Sequence, residues 1–173
     1  MIYDIVILTD CRYENPEKTD WYIEQILLED GLVQKALEEK GLKVIRKSWD
    51  AKDFDWTQSR YAIFRSTWDY FDRFGEFFSW FEKTRKVLEF INCPEIIYWN
   101  LDKHYLNDLK QSNINIPPTI FIEKGEHQSL NALFEKTEWT KAVLKPAIAG
   151  AARETFLIKK EKHLNYEKEL QRL

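Results

Sequence analysis

Lys145 closes the strand-like run Lys141-Ala142-Val143-Leu144 and is followed at once by Pro146, which removes a backbone donor and turns the chain. The loop beyond it, Ala147-Ile148-Ala149-Gly150-Ala151-Ala152-Arg153-Glu154-Thr155, is made almost entirely of small residues. Small side chains let backbone N–H groups approach anionic oxygens, and a lysine is a compact cation for phosphate. Lys103, in Asn100-Leu101-Asp102-Lys103-His104-Tyr105-Leu106, is a second cation of the same kind. Plainer readings stand beside these. Lys103 could be a helix-surface lysine next to Asp102, and Lys145 a strand-end lysine reaching solvent. The loop could be a hairpin connection or a helix start, with Arg153 paired to Glu154 rather than to a ligand.

A second group of candidates lies in Arg65-Ser66-Thr67-Trp68-Asp69-Tyr70, where a strand of an open sheet would end. Ligands of such sheets gather at the carboxyl ends of strands. Arg65 can grip a carboxylate in a bidentate contact, with Asp69 or Tyr70 orienting the other end of the molecule. Equally, Arg65 and Asp69 could simply pair with each other. Asp10, Arg12 and Asp30 occupy comparable positions near the first strand, where caps and loop solvation also account for acidic residues. His104, His127 and His163 have no metal-ligand spacing, and no residue is assigned as catalytic or as a metal ligand.

Strands and helices must position these groups. Residues 2–8 (IYDIVIL) form a nearly continuous apolar run, the pattern of a strand covered on both faces. Asp20 and Asp30 read as N-caps of two helical stretches, the second stopped by Gly41. Further strands are expected at 42–49 and 61–65, and the spacing of Phe74, Phe77, Phe78, Phe81, Leu88 and Ile91 predicts one amphipathic helix over 74–91. After Asn92-Cys93-Pro94 the expectations are a short strand at 95–98, a helix at 102–111, a strand at 119–122, a helix near 129–136, and strands at 141–145 and 155–159. The last residues, EKHLNYEKELQRL, read as a connecting helix or a frayed end.

Composition narrows the classes. The 173 residues include 7 Trp, 8 Tyr and 11 Phe, enough for a genuine core and unlike a disordered chain. With 26 basic and 29 acidic side chains interspersed, the net charge of −3 gives no pull toward nucleic acid. Cys11 and Cys93 sit in no CxxC spacing, which fits a reducing compartment, and no apolar stretch approaches a membrane span. The expected location is the cytoplasm.

Three ordered islands, IFRSTWDY (63–70), YWNLDKHYLNDL (98–109) and VLKPAIAGAARETF (143–156), together resemble the ATP-grasp superfamily, and within it the glutathione-synthetase-like carboxylate-amine ligases. The resemblance implies an α/β chain: a Rossmann-like pre-ATP-grasp domain with a parallel sheet over 1–94, then an incomplete ATP-grasp α+β subdomain over 95–173 with a phosphate-flap loop at 146–155. It implies that Lys103, Lys145, Gly150, Ala151 and Arg153 face ATP, and that Arg65 and Asp69 face a substrate. The family's reaction joins a small carboxylate to an amine through an acyl phosphate, using ATP and Mg²⁺. The family's Mg²⁺ ligands lie on late strands expected beyond Leu173, so the chain alone is expected to have little or no ligase activity. Gly150 is the loop's one glycine, a departure from more glycine-rich relatives. The alternative is a non-catalytic interaction or oligomerisation module, which leaves a homo-oligomer open.

Overall fold

The computed structural model describes residues 2–173, and it divides into two compact units, the first ending at Tyr98 and the second running from Trp99 to Leu173. The division falls within a single helix.

The first unit is built on a four-stranded, all-parallel sheet. Strands β1 (Tyr3–Thr9), β2 (Val44–Ser48), β3 (Ser59–Ser66) and β4 (Glu89–Ile91) lie in the order β2-β1-β3-β4. Parallel strands need covered faces, and β1 has them: Val6, Ile7 and Leu8 are fully buried. Helices α1 (Cys11–Glu14) and α2 (Trp21–Glu38) make the crossover from β1 to β2 and α3 (Phe74–Thr84) the one from β3 to β4, while β2 passes to β3 through a short 3-10 turn (Trp56–Gln58). Phe77 and Phe81 of α3 pack with Trp49, Phe64 and Phe90, the last two rings stacked at 5.2 Å. The pairing Thr9↔Ser48 and Thr9↔Ser66 aligns the carboxyl ends of the three long strands, so Asp10, Trp49 and Thr67 emerge at one edge.

Two expectations in this unit need correction. The chain from 21 to 38 is one helix, capped by the Asp20 carboxylate accepting from the Ile23 amide at 2.8 Å. Asp30 caps nothing: it is buried, where it takes hydrogen bonds from Arg46 and Ser66. Gly41, at φ +82°, does follow the helix end, in the left-handed backbone that glycine adopts without strain. The helix expected over 74–91 stops at Thr84, and Glu89–Ile91 instead forms β4 beside β3. Leu88 continues the seven-residue spacing from Phe81 but also alternates with the buried Phe90, and pairing with β3 decides for the strand.

Helix α4 (Pro94–Leu101) replaces the strand expected at 95–98, and α5 (Tyr105–Gln111) follows after a turn. In the second unit, α6 (Leu130–Thr137), capped by Ser129, packs on an antiparallel hairpin of β5 (Lys141–Leu144) and β6 (Phe156–Lys159). Its core is Leu130, Phe134 and Ile158, with Ala142, Leu144 and Phe156 against them. A 3-10 segment (Lys160–Tyr166) and α7 (Glu167–Arg172) end the chain. Residues 119–122 pair with no strand. Among the described residues, no helix is long and apolar enough to cross a membrane.

Candidate functional site

The hairpin β5–β6 has two different faces. In the register Ala142↔Ile158 and Leu144↔Phe156, one face turns to α6, and the intervening pair Val143↔Leu157 turns outward, 55% and 60% exposed. Period-two alternation therefore carries Val143 and, two residues on, Lys145 to the outer face. There a cavity of about 290 Å³ is lined by Lys103, Val143, Lys145, Thr155 and the loop residues Ala149 to Arg153. That is at the small end of ligand cavities, suited to a few phosphoryl groups.

Lys103 reaches this cavity from the turn between α4 and α5, held to the loop three times over. Its backbone amide donates to the Ala147 carbonyl at 3.1 Å, and its Nζ donates to the carbonyls of Ala147 and Ala149, each at 3.0 Å. Burial lowers the pKa of its ammonium, and the charge of Lys145 lowers it further. Two cations that repel each other across one cavity are relieved by an anion between them.

The loop itself is strained. Ala151, Ala152 and Glu154 have φ of +49°, +57° and +50°, a region that side chains with a Cβ rarely occupy. Turn hydrogen bonds from the Arg153 amide to Gly150 and from the Thr155 amide to Ala152 hold the shape. Glu154 lies between Arg153 and Arg172, which keep its carboxyl below the ordinary carboxylate range, Arg172 contributing most. Strain of this kind gathers where a loop meets a ligand.

Five residues singled out from the sequence, Lys103, Lys145, Gly150, Ala151 and Arg153, thus share one cavity. Val143 was not singled out, although the alternation of Lys141, Val143 and Lys145 puts it on one strand face with Lys145 and held that signal. The anchoring of Lys103 on Ala147 had no sequence signal at all.

Arg65 and Asp69 lie in the first unit, where each has its own partners. Arg65 leans on Asp30 at 3.4 Å and on Glu29 at 3.7 Å, its side chain one-third exposed. Asp69 is buried and accepts from the Trp49 indole at 2.7 Å and from Arg73 at 3.1 Å. Asp10 caps α1 and is clamped by Arg12. Burial, aided by Asp50, Asp69 and Asp10, pushes the Cys11 thiol up, away from a reactive thiolate. Among the described residues, no three His, Cys, Asp or Glu side chains converge as metal ligands.

Residues 5–92, just over half of the chain, match the family described as the N-terminal domain of D-cycloserine synthetase DcsG. The cycloserine biosynthesis protein DcsG of Streptomyces lavendulae is 31% identical over 77 residues, which are 44% of this chain and 26% of that protein. The crystal structure of D-cycloserine synthetase DcsG aligns with a TM-score of 0.76 over 98% of this chain and 55% of that one, at 22% identity. At that identity the likeness establishes the fold. The chain spans about half the length of the solved relative. The family match falls in the first unit, and the cavity in the second.

Proposed function

The chain belongs to the family of the DcsG N-terminal domain, and on that premise we propose that it is the ATP-binding front portion of an ATP-grasp ligase. In this reading the second unit is the first part of the ATP-grasp subdomain and the loop 146–155 is its phosphate flap. The observation that carries it is the meeting of Lys103 and Lys145 at one cavity under a loop of small residues. Lys145 and backbone N–H groups of the loop take the ATP phosphates, while Lys103 fixes the loop and adds charge beneath it. Such cations neutralise phosphoryl oxygens during transfer to a carboxylate, which gives an acyl phosphate that an amine then displaces. Mg²⁺, when bound, would add charge neutralisation, held by groups these residues do not bring together. Ligation is accordingly assigned to a longer assembly, and the 173 residues alone are expected to turn over little or no substrate.

Arg65 is the group proposed for a small carboxylate substrate, since its side chain is one-third exposed whereas that of Asp69 is nearly buried. Titration calorimetry of ATP with Mg²⁺ tests the nucleotide reading. Lys145→Ala should weaken binding roughly tenfold or more, the scale of one charge-assisted hydrogen bond. Unchanged heats in Lys145→Ala would remove the reading. Amine-dependent ADP release by these residues alone would remove the assignment of ligation to a longer assembly.

A further inference from the structure

Helix α2 is buried on one face and apolar on the other. Ile26 and Asp30 are buried on one, and on the opposite face Trp21, Leu28 and Leu32 are 73%, 56% and 60% exposed. Their spacings of seven and four residues align them in a single stripe along the helix. A surface helix ordinarily carries charge there, and an exposed apolar stripe opposite a buried face is the pattern of a helix covered on both. The three exposed side chains present on the order of 400 Å² of apolar surface, the size of the centre of an interface burying about 800 Å² per partner.

The charges flanking the stripe indicate what covers it. Glu24 and Lys35 lie on the same flank, at equal distances from a midpoint between Glu29 and Asp30. In an antiparallel twofold pair of helices, same-side flanks meet, so Glu24 of one copy falls opposite Lys35 of the other, twice. The same registry sets Leu28 beside Leu32 of the second copy, one helical residue apart along the axis. Gly31 lies at the crossing with nothing within 4 Å of its Cβ position, leaving room for a leucine knob. The present partners of both charges are weak and exposed: Lys35 reaches Glu39 at 3.9 Å, and Glu24 accepts from Thr19 at 3.4 Å.

We propose that this stripe of α2 binds a second copy of the chain, forming an isologous antiparallel α2–α2 pair centred on Leu28 and Leu32. The pairing is independent of nucleotide binding.

Sedimentation velocity of the full chain, diluted from about 100 µM to about 1 µM, tests it. A dimer that dissociates on dilution is expected. Leu28→Glu and Leu32→Glu should each weaken it more than tenfold, and Glu24→Lys or Lys35→Glu should weaken it several-fold. Combining Glu24→Lys with Lys35→Glu should restore it, which a foreign partner or another surface would not do. A monomer at every concentration overturns the proposal, as does a dimer indifferent to Leu28→Glu, or a double variant weaker than both singles. Because the substituted side chains are exposed, helix content by circular dichroism should be unchanged. Leu28→Gln and Leu32→Gln replace any glutamate variant that loses it.

Discussion

Lys103 and Ala147 are joined twice: the backbone amide and the side-chain ammonium of the lysine both donate to the one carbonyl, at 3.1 and 3.0 Å. The same ammonium also holds Ala149, so the lysine fastens the root of the loop that closes the cavity. Lys145 shares the cavity but has no such tether among the described residues.

The two lysines should therefore separate in mutation. Lys103→Ala is expected to lower stability by roughly 1–3 kcal/mol through loss of charge-assisted bonds to the loop, and to weaken ATP binding as well. Lys145→Ala should weaken ATP binding while shifting stability by less than about 0.5 kcal/mol. Urea unfolding beside calorimetry measures both, and equal stability losses would show that Lys103 is not an anchor.

Asp30 is the polar centre of the first unit. It accepts from Arg46 at 2.9 Å and from Ser66 Oγ at 2.7 Å, and the Thr9 and Ser66 hydroxyls are themselves 2.7 Å apart. Removing one partner of a buried pair strands the other, so Asp30→Ala should cost about 3–5 kcal/mol. Asp30→Asn, which keeps an acceptor, should cost less. A stable Asp30→Ala variant in urea melts would rule out this role.

Backbone strain in the loop predicts a gain from glycine. Ala152, at φ +57°, occupies a region that disfavours residues with a Cβ, and Ala152→Gly should stabilise the chain by about 1 kcal/mol. Gly41→Ala, at φ +82°, should destabilise it by a similar amount. Paired thermal melts give the signs, and a loss of stability in Ala152→Gly would contradict the left-handed geometry.

His104 links two carboxylates, with Nδ1 2.6 Å from Asp102 and Nε2 3.0 Å from Glu123, and its ring stacks on Phe121. Its pKa is raised, chiefly by the hydrogen bond to Asp102 and then by Glu123. A raised folded-state pKa gives stabilisation that is complete below the ordinary value of about 6.5 and is lost as pH rises through the higher native value. Wild type should therefore exceed His104→Gln in stability below about pH 6.5 and lose that margin as pH rises through the native value. An NMR titration should place the native pKa above the ordinary value, and a depressed one would reverse the expectation.

Much of this was legible in the chain. The run from Tyr3 to Leu8 reads as a doubly covered strand because it is short, rich in β-branched residues and stopped by Thr9-Asp10, and Asp20 reads as a cap because its carboxylate needs only the amide three residues on. Asp30-Gly31 looked like punctuation because Asp and Gly usually are, yet Asp30 turns inward to an arginine sixteen residues away. The apolar run at 95–98 became helix, while 119–122 formed no ladder, since a strand needs a partner that its own residues cannot supply.

By itself the sequence determined what local chemistry can fix: helix caps, the buried first strand, and the residue types of a small-residue loop flanked by lysines. Tertiary structure alone decided the strand order β2-β1-β3-β4, the burial of Asp30, and the anchoring of Lys103 on a carbonyl 44 residues away. These depend on which distant groups meet, and a pattern of three, four or two residues carries no information about partners at that range.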